Sequence, residues 1–102
     1  MIKLVVLYHH PDDPAAFDEH YVVTHLPLAR KIPHVLRIDA ARIEAVRGDD
    51  ARPPFHAIAE LYYEDEQAMA LATASPEYQE ALADQPIFNT GGAVAWLCRV
   101  LE

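Results

Sequence analysis

The sequence predicts an α+β domain built on a four-stranded antiparallel sheet. Three observations support this fold class. Apolar runs and turn signals alternate in the order β-α-β-β-α-β along the chain. The first apolar run does not alternate with polar residues, and prolines stand where two helices would begin. The length of 102 residues suits a single domain covering residues 1–102.

Four segments are predicted to be strands. Ile2–Tyr8 is a short and continuously apolar run, which is typical of a strand covered on both faces. Residues 35–47 and 55–63 alternate apolar and polar side chains, and a polar loop over 48–54 separates them. The last strand is predicted over 93–101, which is again rich in apolar residues.

The apolar positions change phase within the second predicted strand. Leu36, Ile38 and Ala40 alternate with polar neighbours, and the alternation then resumes from Ala41 to Ile43. A slip of one residue moves the apolar side chains to the other face unless an extra residue bulges out. The sequence therefore predicts a β-bulge between Ala40 and Ala41.

Helix starts are marked by capping residues. Asp13 precedes Pro14 and predicts a helix from residue 14 to about residue 31, where the sequence Ile-Pro-His ends it. Asp65 opens a second helical region. Ser75, followed by proline and an acidic residue, predicts a new helix start within that region.

This order of elements is the ferredoxin-like, split βαβ pattern. Its helices can cover only one face of the sheet. The apolar character of Ile2–Tyr8 predicts that the other face is covered as well. A second copy of the same sheet is the simplest cover, because an exposed apolar face would form a large adhesive patch. We therefore expect a homodimer that associates through its sheet faces.

One stretch of the first helix carries the strongest functional signal. At helical spacing Phe17, Tyr21, Thr24, His25 and Leu28 share one face, so an imidazole and a hydroxyl are set among apolar side chains. A proline two residues after the histidine removes a helical hydrogen bond and predicts an irregular turn beside it. Such a histidine is either a hydrogen-bonded core residue or, with a free pKa of about 6.5, a proton carrier in a pocket.

Composition and charge exclude several classes of protein. The formal charge of −8 argues against binding to nucleic acid or to an anionic membrane surface. No apolar stretch approaches the length of a membrane span, and the N-terminus resembles a first strand rather than a signal peptide. Cys98 is the single cysteine, so no internal disulfide can form. We expect a cytoplasmic protein.

Residues 17–33 resemble the EthD family of dimeric α+β barrel proteins. The resemblance is carried by Tyr21, by His25 four residues later, and by Pro27 and Leu28; residues 75–82 and the Gly-Gly pair at 91–92 are also similar. It implies a homodimer whose sheets face each other, with an apolar cavity between helix and sheet in each protomer. Members are often called reductases, and the wider superfamily includes cofactor-free monooxygenases, isomerases, polyketide cyclases and haem-degrading enzymes.

The motifs of cofactor-dependent enzymes do not occur in this sequence. It contains no GxGxxG after a strand, no P-loop, no HExxH and no nucleophile elbow. Adjacent histidines on a strand diverge, and His20 and His25 are expected on different faces of the helix. We therefore predict no bound cofactor and no metal site.

Without those motifs, the chemistry that the sequence still allows is acid–base chemistry by His25. The substrate would be a hydrophobic or aromatic metabolite with an acidic C–H or O–H, and an apolar pocket would exclude water. Isomerisation, cyclisation and cofactor-free oxygenation share this first proton transfer, so an oxidoreductase, an isomerase and a cyclase all remain open, as does a non-catalytic binding or accessory protein. The residues predicted to contact the ligand are Tyr8, Phe17, Tyr21, Thr24, Leu28, Tyr62 and Trp96.

Overall fold

The fold was analysed in a computed structural model, which describes residues 1–48 and 51–102. The sheet contains β1 (Ile2–Tyr8), β2 (Arg37–Arg42), β3 (Ala57–Tyr63) and β4 (Ala93–Arg99), in the spatial order β2-β3-β1-β4. Every neighbouring pair is antiparallel. With helices after β1 and β3, this is the predicted ferredoxin-like α+β fold. Residues 49 and 50 of the predicted loop lie outside the described residues.

The helices begin where the capping signals place them. α1 (Pro14–His20) runs through a π-helical turn (Tyr21–His25) into α2 (Leu26–Ala29), and α3 (Glu66–Thr73) is followed by α4 (Pro76–Phe88). The side chains of Asp13, Asp65 and Ser75 each accept a hydrogen bond from the backbone N–H three residues later. No helix in the described part of the chain is long and apolar enough to cross a bilayer.

The predicted β-bulge in the second strand is wrong. β2 pairs with β3 without interruption, from Arg37 opposite Tyr62 to Arg42 opposite Ala57. β2 lies at the edge of the sheet and is mostly exposed, so the two small alanines at the phase change place little apolar area on either face. The strand is also shorter than predicted, because regular pairing ends at Arg42.

The two faces of the sheet have different environments. Alternate residues of β1, from Ile2 to Tyr8, pack in two hydrophobic clusters that include residues from the helices. On the opposite face, Val5 lies beside Trp96, and the indole is 63% exposed in the single chain. The helices therefore enclose one face, and the other is a solvent-facing surface of mixed polarity in one protomer.

Candidate active site between helix and sheet

His25 lies on the π-helical turn with its side chain buried beneath the helices. Its Nδ1 is 3.0 Å from Oδ2 of Asp84, a buried residue of α4. An ionised carboxylate can only accept, so Nδ1 carries the proton and Nε2 bears the lone pair. The side-chain amide of Gln85 donates towards that lone pair, at 3.3 Å from Nε2. The histidine is therefore held in one tautomer by α4.

Asp84 also accepts a hydrogen bond from His20. The His20 Nε2 atom is 2.9 Å and 3.0 Å from the two carboxylate oxygens, and the His20 side chain is 25% exposed. The expectation that His20 and His25 occupy different helix faces was wrong. The N–H of Leu26 bonds to the carbonyl of Tyr21, five residues back, and this wider turn brings residues five apart to the same side.

Burial and hydrogen bonding set the charges of this cluster. Burial lowers the pKa of His25 below its ordinary value, and the opposing attraction of Asp84 only partly compensates. For Asp84, burial works to raise the pKa, but the hydrogen bonds from His20 and His25 outweigh it and the pKa lies below its usual range. A neutral imidazole therefore faces an ionised carboxylate at neutral pH.

Two tyrosines complete the polar part of the site. The Tyr8 hydroxyl accepts from the Gln85 amide at 3.1 Å, and the Tyr8 ring meets the Tyr21 ring edge-on at 5.7 Å. Burial raises the pKa of both phenols, so both stay protonated. The Tyr21 ring lies 5.2 Å from the His25 ring and stacks on Phe17 at 5.7 Å. The site thus combines one neutral imidazole with protonated hydroxyls among aromatic rings.

A small cavity and a larger groove adjoin these residues. The cavity, of about 70 Å³, lies between helix and sheet and is bordered by Tyr8, Tyr21, His25 and Gln85 together with aliphatic side chains. The groove, of about 340 Å³, lies between the first helix and β2. Sites for organic ligands usually measure roughly 300–1,000 Å³, so the groove reaches that range and the cavity does not.

The structure brings some of the predicted ligand-binding residues together. Tyr8, Phe17 and Tyr21 belong to one hydrophobic cluster beside His25. Thr24 is exposed, because the π-helical turn rotates it away from the buried face, and Leu28 packs in the other cluster.

Two further predicted ligand-binding residues lie elsewhere. Tyr62 and Trp96 occupy strand positions that alternate with the core-facing residues, so they lie on the sheet face opposite the helices. In one protomer they do not border the cavity beside His25.

Sequence reasoning missed three polar residues of the site: His20, Asp84 and Gln85. A signal for the last two was present, since Ala81, Asp84, Gln85 and Phe88 recur at spacings of three and four. An acid and an amide on an otherwise apolar helical face indicate buried polar partners.

Within residues 1–48 and 51–102, no group of three His, Cys, Asp or Glu side chains is placed to hold a metal ion.

The fold and site define a small ferredoxin-like α+β domain with a buried histidine–carboxylate pair. The family model of the EthD domain matches residues 9–92. An uncharacterized 11.0 kDa protein from the thcB-thcC intergenic region of Rhodococcus erythropolis is 44% identical over 92 residues, which cover 90% of this chain and 87% of the relative. The chain belongs to the EthD family.

Solved structures agree with this assignment. An EthD family protein from Bacillus halodurans has a TM-score of 0.88 at 32% identity, with 99% of each chain covered. A dimeric ferredoxin-like protein of unknown function from Thermobifida fusca has a TM-score of 0.70 at 17% identity, covering 97% and 90%. SnoaB, a cofactor-independent oxygenase from Streptomyces nogalater, has a TM-score of 0.68 at 17% identity, covering 99% and 93%. The last two likenesses concern the fold alone.

Proposed function

We propose that this EthD protein is a cofactor-free enzyme that removes a proton from a hydrophobic or aromatic small molecule, with His25 as the base. One observation carries the proposal. The Asp84 carboxylate fixes the proton of His25 on Nδ1, 3.0 Å away, and leaves the Nε2 lone pair on the side of Gln85 and the cavity. An oriented neutral imidazole next to a carboxylate is the arrangement of a general base.

The surrounding groups suit each stage of such a proton transfer. Asp84 would stabilise the imidazolium that forms when Nε2 takes the proton. Tyr8 accepts from Gln85, so its own O–H can donate to an oxygen that gains negative charge. The proposal covers the first step, which isomerisation, cyclisation and cofactor-free oxygenation share. The occurrence of a cofactor-independent oxygenase on this fold supports it by analogy.

Deuterium exchange tests this step without knowledge of the natural substrate. A panel of enolisable aromatic ketones and 1,3-dicarbonyl compounds is incubated with the protein in D₂O, and mass spectrometry follows deuterium at the acidic carbon. We expect exchange above the buffer rate for a compound that fits, and a return to the buffer rate in His25→Asn. The control is His34→Asn, because His34 is exposed and its φ of 67° suits asparagine.

Equal exchange by the wild type and His25→Asn, or no exchange above buffer for any compound, would contradict the proposal. The second outcome favours the other candidate, a binding protein for a hydrophobic metabolite. Its supporting observation is that Gln85 already satisfies Nε2 of His25 in the described structure. A binding protein would retain panel compounds without exchange, and His25→Asn would weaken binding only modestly.

We also propose that the protein is a homodimer that associates through the open sheet face. Trp96, Val5 and Leu7 give this face apolar area, which the helices of the same chain do not cover. Association through it would place Tyr62 and Trp96 at the interface. Dimeric ferredoxin-like proteins among the structural neighbours support this arrangement.

A further inference from the structure

The space beside His25 is too small for the class of substrate proposed. A cavity of about 70 Å³ has room for about two water molecules, at a share of roughly 30 Å³ each in the liquid. An aromatic metabolite needs more room than this. The groove of about 340 Å³ next to the cavity supplies it.

Tyr21 separates the two spaces. Among the described residues that border them, it is the one that borders both the cavity and the groove. Phe17, Val22 and Leu26 border the groove, whereas His25 and Gln85 border the cavity. The Tyr21 side chain therefore lies between the groove of about 340 Å³ and the cavity that His25 borders.

The position of Tyr21 in the chain suits a movable partition. It begins the π-helical turn, where the regular helical hydrogen-bond pattern is replaced by a bond that spans five residues. Val22 and Val23 on the same turn are 63% and 67% exposed, so little packing opposes a shift of this turn on its outer side. The ring is held from inside by stacking on Phe17 and by its edge-on contact with the Tyr8 ring.

The rim of the groove indicates the charge of its occupant. Arg42 lies at the rim and is paired with Asp18 at 3.0 Å, and Asp18 also accepts from His56 at 2.7 Å. Glu44 adds a further negative charge to the rim. Among the described residues that border the groove, Arg42 is the one basic group and it is already paired, and the chain carries a formal charge of −8. These charges favour a neutral ligand over an anionic one.

We propose that the groove is the binding compartment for a neutral aromatic molecule with one acidic O–H or C–H, and that Tyr21 determines whether this molecule reaches His25. The inference rests on the proposed function, since it assigns the site of its substrate. Displacement of the Tyr21 ring joins groove and cavity into one pocket. The apolar body of the ligand then lies against Phe17 and Leu26, and its acidic group faces Nε2 of His25.

Nuclear magnetic resonance of the histidine rings tests this role with 2-naphthol, a neutral aromatic compound with an acidic O–H. We expect 2-naphthol to bind the wild type weakly and to bind Tyr21→Ala roughly tenfold more tightly. This gain is expected if about ten wild-type molecules are closed for each one that is open, and if the substitution removes the closed state. The ring signals of His25 should shift strongly in Tyr21→Ala. Val23→Ala alters the same turn at an exposed position that borders neither the groove nor the cavity, and it should behave as the wild type.

A second variant keeps the test decisive if Tyr21→Ala does not fold. Val22 is exposed, so the fold should tolerate Val22→Trp. Because this position borders the groove, the larger ring should occupy part of it, and the affinity for 2-naphthol should fall roughly tenfold or more. Unchanged affinity in Val22→Trp, or unchanged affinity and His25 signals in Tyr21→Ala, would overturn the inference. Binding is measured without turnover, so the titration can succeed or fail independently of the deuterium exchange.

Discussion

At the scale of single residues, Asp84 links the charges of two histidines to one another. It accepts from the buried His25 and from the partly exposed His20. Any change in the charge of His20 therefore alters the field at His25, and a charged His20 works to lower the pKa of His25. The buried His25 is thus coupled to the solvent-facing side of the helix through one carboxylate.

The buried histidine should make stability depend on pH. Because burial lowers the pKa of His25 below 6.5, the unfolded chain binds more protons than the folded protein just below that pH. The free energy of unfolding should therefore fall as the pH falls through 6.5 towards the folded-state pKa. Asp84 has a lowered pKa and stays ionised in this range, and both Tyr8 and Tyr21 stay protonated.

Urea unfolding at pH 7.5 and pH 5.5 measures this dependence, both values chosen to bracket the ordinary pKa of about 6.5. We expect the difference in unfolding free energy between the two pH values to shrink in His25→Asn and to persist in the exposed control His34→Asn. An undiminished difference in His25→Asn would show that other groups cause the pH dependence.

Two buried tyrosines should respond in opposite ways to loss of their hydroxyls. The Tyr63 hydroxyl is buried without a hydrogen-bond partner among the described residues, and burial raises its pKa to about 12. Tyr63→Phe should therefore raise the unfolding free energy by about 1 kcal/mol. Tyr8→Phe removes the hydroxyl that accepts from the Gln85 amide, and should lower the unfolding free energy by about 1–3 kcal/mol.

Thermal and urea unfolding of the two variants, side by side, check the contrast. Because both substitutions remove one oxygen from a fully buried ring, differences in hydrophobic area are matched. If both variants lose stability equally, then the Tyr63 hydroxyl has a partner in solution and the assignment of its environment is wrong.

At the scale of elements, the sequence predicted the first residues of the helices better than the internal geometry of the strands and the packing between helices. Capping at Asp13, Asp65 and Ser75 is a local interaction over three residues, and all three caps are confirmed. The bulge in β2 was wrong because the apolar pattern of an exposed edge strand is not constrained by burial. The pairing of His25 with Asp84 spans 59 residues and depends on how the helices pack, which no local pattern encodes.

The cap of α4 should matter for the site as well as for stability. Ser75 accepts from the N–H of Tyr78 and donates to the carbonyl of Ala72, and α4 carries Asp84 and Gln85. Ser75→Ala should lower the unfolding free energy by about 1 kcal/mol. Gln79→Ala, at an exposed position of the same helix, should change it by less than about 0.5 kcal/mol. Equal losses measured by urea unfolding would contradict a capping role.

At the scale of the whole molecule, the two faces of the sheet have different surroundings. The helix face encloses the candidate active site, and the open face carries Trp96 and its neighbours. The ferredoxin-like topology was predictable because it follows from the order of elements. That Tyr62 and Trp96 lie apart from His25 could be known only from the register of the strands, since a shift by one residue in a strand reverses the face of each side chain.

Light scattering during size-exclusion chromatography tests the proposed homodimer. The wild type should elute with the mass of two chains at micromolar concentration, and Trp96→Asp should elute as a monomer, because it places a charge in the apolar interface. The control is Leu71→Asp, since Leu71 is also exposed but lies on α3, on the helix side of the sheet. A wild type of single-chain mass would contradict the dimer.

The π-helical turn at Tyr21–His25 also bears on how this family diverged. Such a turn holds one residue more than a regular helical turn would, so it has the form left by a single-residue insertion. Because the wider turn absorbs this residue locally, a relative without it could continue as a regular helix. The counterparts of Phe17 and His25 would then be seven residues apart, about two helical turns, and would still share one face. Gaps aligned to this turn should therefore leave both residues facing the sheet and change only the exposed side of the helix.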